Sequence, residues 1–359
     1  MIMPRMKKKK RSKKKKKKKP ATGFEEFYAE APMTPTEARE ERSMYHPSLS
    51  FLERIELATQ RFKKKRKWSP LRSRIFESYL SLGGLKSGPN RFQGLDPRDE
   101  DFEEISDLMP VISTSDMNLD DYDVDFVWVV KVFLGWGVSM SLGLSDIFDL
   151  QEAPRVVLGY LQYLEFHDVC PEYRDDLREA IKVATTAQRE LIRNSVASRL
   201  LPGRFNRACT VLYLTQTEIV PEFDWIQPLD DDISKAEARD IIQLELGDPA
   251  LKAGVKRSDS ISVEVVAIEE SEGVGLQALC KIRFVSWQAE DAPQIPSLFD
   301  GESMEVYLEK SILEHFYLGM HLEISLVELD NGFQFMENVM GIMPSFYVDH
   351  EETDLDTEF

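Results

Sequence analysis

The sequence predicts an α+β protein: a helical first half of the body, a mixed or antiparallel sheet in the second half, and a disordered basic tail in front. Three observations carry that prediction. Helical start and stop signals dominate up to about Leu201. Beyond Pro202-Gly203 the pattern turns to β-branched and alternating runs, of which Ile261-Ser262-Val263-Glu264-Val265 is the clearest. Ahead of both, thirteen of the first nineteen residues are Lys or Arg and none is acidic.

The charge is lopsided. The chain of 359 residues has 45 basic and 63 acidic residues, so removing the tail's thirteen cations leaves 32 against 63. A tail of +13 is tethered to a body of about −31. Lys7, Lys8, Lys9, Lys10, Arg11, Lys13, Lys14, Lys15, Lys16, Lys17, Lys18 and Lys19 carry nearly all of it. Like charges repel and no apolar group is available for burial, so residues 1–22 are expected to be disordered. Such a block reads as a nuclear address, as a nucleic-acid contact, or as both.

Residues 23–123 read as an extended and helical partner-docking segment. Phe24, Phe27 and Tyr28 stand among Glu25, Glu26 and Glu30, a stretch that cannot form a core alone and must dock on something. Thr34-Pro35-Thr36-Glu37 has the residues of a capped helix start, and His46-Pro47 stops that helix. A second helix is expected from Ser48 to about Trp68, with Phe51, Ile55, Ala58 and Phe62 on one stripe. Ser69-Pro70 restarts a helix carrying Leu71, Ile75, Tyr79 and Leu82, which Gly83-Gly84 ends. Residues 83–125 read as connecting segment.

The helical part of the body is placed at 124–205. Phe126 to Leu142 is apolar with one charge, Lys131. At seventeen residues it is short for a membrane span, and a buried core element is expected, with no membrane partner. Helical patterns follow over Val156–Phe166 and Tyr173–Arg199. The α+β part is placed at 206–348. Strands are expected at Cys209–Thr215, Ser260–Ile268, Gln277–Val285 and Met320–Leu329, and a helix at Glu305–Tyr317. Asp330-Asn331-Gly332 is a hairpin turn from which Phe333 onward returns. Residues 349–359 read as an acidic disordered tail.

The chain has no phosphate-binding loop, dinucleotide fingerprint, nucleophile elbow, zincin motif or C-x-x-C pair. Three cysteines, Cys170, Cys209 and Cys280, are far apart and odd in number, which points to an intracellular thiol state. His167 and Cys170 lie three apart, but a metal site needs more ligands, so a helix-end histidine beside a buried thiol is the better reading. Asp230-Asp231-Asp232 reads as a capped, solvated turn before a helix that starts Ser-Lys-Ala-Glu. No catalytic residue, metal or cofactor is expected.

A second basic cluster remains. Residues 61–74 contain no acid and carry +8, including Lys63, Lys64, Lys65, Arg66, Lys67, Arg72 and Arg74. Phe62 and Trp68 flank it, and Trp68, like Phe24, Phe27 and Tyr28, is expected to serve partner docking. The cluster is either a phosphate or partner contact with stacking aromatics, or a solvated face whose aromatics pack on a neighbouring helix.

Five segments are similar to a known family. GFEEFYAEAPMTP (23–35), FLERIELATQRFKKKRKW (51–68), IFESYLSLGGLKSGP (75–89), YLEFHDVCPEYRDDL (163–177), and SILEHFYLGM with SFYV (311–320, 345–348) resemble the fungal Argonaute-binding family, subunits of the Argonaute siRNA chaperone complex. The resemblance spans most of residues 23–348 and is weakest over 205–305. It implies a non-enzymatic partner of Argonaute in RNA silencing. Such a partner restrains slicing and passenger-strand release and feeds heterochromatin assembly. Argonaute and a second chaperone-complex subunit are the implied partners, with duplex siRNA reached indirectly through Argonaute. With the lysine tail, the nucleus, and the cytoplasm as well, is the expected location. The alternative is a sequence-independent nucleic-acid- or chromatin-binding protein that uses its basic clusters.

Overall fold

A computed structural model of the chain describes residues 35–64, 66–85, 124–140, 142–214, 233–270, 279–288 and 296–348. The lysine tail, Phe24, Phe27, Tyr28, Lys65, the acidic triplet 230–232 and the acidic C-terminus lie outside the described residues.

Helices come first. α1 (Pro35–Met44) and α2 (Phe51–Lys64) are joined by a tight turn. α2 starts later and ends earlier than the sequence suggests. Ser50, not Ser48, caps it: Glu53 N–H donates to Ser50 Oγ at 3.3 Å, and Ser50 N–H donates to Glu53 at 2.7 Å. α3 (Pro70–Leu82) begins at the expected Ser69 cap and ends against Gly83. The apolar run forms α4 (Phe126–Val132), which passes through a π-helical stretch, Phe133–Gly137, into α5 (Val138–Met140). Asp125 and Asp176 hold its first amides, accepting from Trp128 N–H and Phe126 N–H, each at 2.7 Å. Among the described residues no helix is long and apolar enough to cross a membrane.

α6 (Ile147–Phe166) and α7 (Arg174–Leu200) follow. α7 has 27 residues, about 40 Å at ~1.5 Å per residue. Its first part, through Leu191, packs into the helical core, and Ala197 packs into the sheet core. Of the stretch expected as a strand at Cys209–Thr215, Cys209 to Tyr213 instead belong to α8 (Arg204–Tyr213), and Thr215 lies outside the described residues. Phe205, Cys209 and Tyr213 are spaced i, i+4, i+8 and all are buried against the sheet. α9 (Lys235–Leu246) starts with a reciprocal Ser234–Glu237 capping box.

The sheet is fully antiparallel, in the order β3-β2-β1-β4-β5. Its strands are β1 (Val255–Glu269), β2 (Leu279–Ser286), β3 (Ser303–Glu309), β4 (His321–Leu329) and β5 (Gln334–Met343). The expected helix at Glu305–Tyr317 resolves into β3 and the short α10 (Lys310–Leu313). Met304, Val306 and Leu308 are buried alternately, so a period of two won over helical propensity. The β4–β5 turn is Asp330-Asn331-Gly332 as expected, with Gly332 at φ 84°.

The sheet curls until its two edges meet. Asn206 of α8 is fully buried and bridges them. Its Nδ2 donates to Tyr307 O of β3 at 2.8 Å, and its Oδ1 accepts from Met336 N–H of β5 at 3.0 Å. Gln334 Oε1 adds a second bridge, accepting from Glu305 N–H at 2.9 Å. This curl hides edge groups that would otherwise offer a pairing template.

Candidate partner-docking surface

The second basic cluster sits at the corner between α2 and α3. Phe62 ends the buried stripe of α2, and it meets Trp68, Phe76, Tyr160 and Tyr163 at ring separations of 5.2–5.9 Å. Trp68 stacks on Phe76 at 5.0 Å and 27°, and its indole N–H donates to Lys63 O at 3.0 Å. The two flanking aromatics therefore lie in one intramolecular knot, with Phe62 buried and Trp68 half-buried.

Four of the described cations of the cluster are engaged by the protein itself. Arg66 lies over the Phe62 ring at 3.7 Å. Lys63 is 3.8 Å from Glu77 and 5.7 Å from the Phe76 ring. Burial pushes the Lys63 ammonium below its usual range, and Glu77 opposes that shift. Arg72 donates to Glu152 at 2.6 Å, and Arg74 donates to Leu142 O at 3.1 Å. Lys64 and Lys67 are exposed.

Toward the other end of α2, on the same face, lies an apolar groove of about 260 Å³, lined by Phe51, Ile55, Leu82, Leu85, Phe126 and Trp128 among others. Trp128 is 42% exposed there. The sequence offers one signal for this groove, the unbroken apolar start of α4, but Phe51 and Trp128 are brought together only by the fold.

Nothing among the described residues assembles reactive groups. No group of three His, Cys, Asp or Glu side chains could hold a metal there. Burial pushes the Cys170 thiol up to about 12 and raises that of Cys209 further, so both stay protonated. His167 is buried in an aromatic nest, 4.3 Å from the Tyr163 ring. Burial depresses His321 to about 4, against a partly restoring bond with the Ser345 backbone.

Two of the segments singled out by resemblance pack on one another. Arg54, buried, forms a two-pronged ion pair with Glu172, and its Nη1 also donates to Val169 O at 2.7 Å. That joins the 51–68 segment to the 163–177 segment. Ser345 donates from its N–H and its Oγ to Glu190 at 2.9–3.0 Å, and Phe346 enters the helical core. That joins the C-terminal SFYV segment to α7. The described parts of 51–68, 163–177 and 345–348 are thus scaffold in large part: they hold helices and sheet together behind the exposed surfaces.

Comparison with known proteins bears on the same segments. The family model described as "Argonaute siRNA chaperone (ARC) complex subunit Arb1" matches residues 12–354. The chain is 31% identical over 357 residues to "Argonaute-binding protein 1" of Schizosaccharomyces pombe (strain 972 / ATCC 24843), covering 91% of this chain and 88% of that protein. No solved structure matches it. With its five motif segments inside a match that runs nearly end to end, the chain belongs to the family of the Argonaute siRNA chaperone complex subunit Arb1.

Proposed function

We propose that this protein is a non-enzymatic, Argonaute-binding subunit of an siRNA chaperone complex. The observation that carries the reading is the family match over residues 12–354. In this reading the protein occupies Argonaute surface, restrains slicing and passenger-strand release, and acts in RNAi-directed heterochromatin assembly. A second chaperone subunit completes the complex, and duplex siRNA is reached only through Argonaute. The lysine tail addresses the protein to the nucleus, with a cytoplasmic pool as well. Phe24, Phe27 and Tyr28 serve partner docking.

Physical chemistry supports protein contact over RNA contact. A body of about −31 repels a polyanion. The aromatics beside the second basic cluster are packed on their own fold, not splayed as base-stacking platforms. An apolar groove with a half-exposed Trp is the kind of surface at which protein partners anchor.

The test is affinity purification from the native cell with and without RNase, followed by mass spectrometry. Argonaute retained after RNase supports the reading, and complete loss of Argonaute overturns it. The tail favours one further reading, sequence-independent binding of nucleic acid or chromatin. It predicts a steep salt dependence of duplex-RNA binding that disappears when residues 1–19 are deleted.

A further inference from the structure

The turn between α2 and α3 presents a hydroxyl that lies outside both helices. Ser69 and Pro70 are exposed, and Ser69 is extended at φ −81° and ψ 159°. Pro70 imposes that shape, because its ring disfavours a helical residue before it. Residues 66–68, just ahead, are not helical either. Ser69 Oγ accepts from Arg72 N–H at 3.3 Å, a long bond between exposed groups.

Other caps in the chain are built differently. Ser50 Oγ donates to Glu53 at 2.8 Å, and Ser234 Oγ donates to Glu237 at 2.8 Å. A phosphate on either serine would lie against a carboxylate and be repelled. At Ser69 the third residue on is Arg72, so no carboxylate stands at that place. The whole stretch 61–74 has no acid. The sequence has two Ser/Thr-Pro steps, Thr34-Pro35 and Ser69-Pro70. Glu37 stands three residues after Thr34, and Arg72 three residues after Ser69. An enzyme that phosphorylates a hydroxyl before proline and favours a base at the third place selects the second step.

We propose that Ser69 is a phosphorylation site for a proline-directed serine/threonine kinase. In the transfer Ser69 Oγ attacks the γ-phosphorus of ATP, the bond to the leaving ADP oxygen breaks, and the hydroxyl proton passes to a base of the kinase. Access requires the first turn of α3 to open. That gives up the Arg72 N–H bond and a bond from Ser73 N–H to Ser69 O at 3.0 Å, while Pro70 has no N–H to lose. Once attached, the phosphate brings a charge of about −1.5 to −2 to the start of α3, where a helix favours negative charge. Its oxygens take over the Arg72 N–H, so the cap is tightened. The formal charge of residues 61–74 falls from +8 to about +6. The inference holds whichever partner the protein serves.

Incubation of the full-length protein with ATP and a cyclin-dependent kinase, followed by peptide mass spectrometry, tests it. A synthetic peptide of residues 61–74 is the control substrate. Phosphate is expected on Ser69 in protein and peptide, and on neither Ser50 nor Ser234. Ser69→Ala and Pro70→Ala each abolish it. A modified peptide beside an unmodified protein overturns the proposal, because the fold then withholds the hydroxyl. An unmodified peptide, or modification that survives Pro70→Ala, overturns the kinase class and the proposal with it. The phosphoprotein melts about 1–2 °C above the unmodified one, a gain that high salt erodes. A lower melting temperature overturns the tightened cap. Protein isolated from the native cell under phosphatase inhibition carries the same phosphate, and a Ser69 peptide recovered there solely in unmodified form overturns the assignment.

Discussion

Asn206 Nδ2 donates to the Tyr307 carbonyl at 2.8 Å, tying α8 to an edge strand of the sheet. The same amide donates to Pro202 O at 3.0 Å and accepts from Met336 N–H of the opposite edge at 3.0 Å. One side chain with no solvent exposure thus closes the curled sheet. A buried amide with all these partners met is favourable, and one stripped of them is not.

Asn206→Ala therefore destabilises the protein by about 3 kcal/mol or more, because it orphans a buried donor and buried acceptors and leaves a cavity. Asn206→Asp is worse, since a second oxygen would face two carbonyls. Chemical denaturation of both variants checks the order.

Gly203→Ala also fails at this joint. Gly203 has φ 86°, and a β-carbon there would land on Glu309 Oε2 and sit 2.8 Å from Ile312 Cδ1. The carboxylate can yield only by giving up its bond from Phe205 N–H, 2.7 Å, at the start of α8. The expected cost is about 3 kcal/mol from strain and overpacking, read as a lowered Tm.

At the helix corner, Trp68→Ala and Lys67→Ala separate scaffold from surface. Trp68 loses its stack on Phe76 and its bond to Lys63 O, at about 2 kcal/mol or more given its partial exposure. Lys67, exposed, changes stability by less than about 0.5 kcal/mol. Thermal melts of the two variants decide between the packed and the solvent-facing roles.

His321 gives the fold a pH dependence. Its folded-state value of about 4 lies below the ordinary 6.5 because burial disfavours the imidazolium. A depressed value means the stabilisation is present above pH 6.5 and is lost as pH falls toward 4. Between pH 6.5 and 5, before most carboxylates titrate, the loss is about 2 kcal/mol. His321→Gln flattens that stretch of the stability curve. An unchanged slope would mean that His321 titrates normally.

Glu172 acts at lower pH. Burial raises its carboxyl, but the Arg54 hydrogen bond and charge together bring it below the ordinary 4.5. Its contribution is present above pH 4.5 and is lost as pH falls below it. Glu172→Gln removes that acid-side loss. At neutral pH it is less stable than wild type, because Arg54 stays buried without a charged partner. Urea titrations of both proteins across pH 3–7 check both effects.

What could be read early was local. Ser69-Pro70, the Ser234–Glu237 box and Asp330-Asn331-Gly332 each settle a boundary through bonds spanning three or four residues. Such signals survive without knowledge of the fold. The readings at 209–215 and 305–317 failed because both stretches take their form from distant partners. Cys209 is apolar enough for either state, and its burial under β4 and β5 chose helix. Glu305 to Glu309 became a strand because β2 was there to pair with it. The site behaved likewise. The cations at 61–74 were visible as a cluster, but which way Trp68 points depends on Phe76, which itself packs on Tyr160 across the bundle.

By itself the sequence determined the α+β order of the chain, the split between a basic tail and an acidic body, and the segments that place the protein in its family. These depend on residue type and near-neighbour spacing alone. The tertiary structure decided the rest: that the sheet closes on Asn206, that Arg54 meets Glu172, and that the basic corner holds a narrow cationic cleft over packed aromatics. Each of these joins residues about a hundred positions apart or more, or depends on which face of a helix is turned inward. Contacts over such distances exist only once the chain has accepted the loop-closure cost of folding, so no local pattern encodes them.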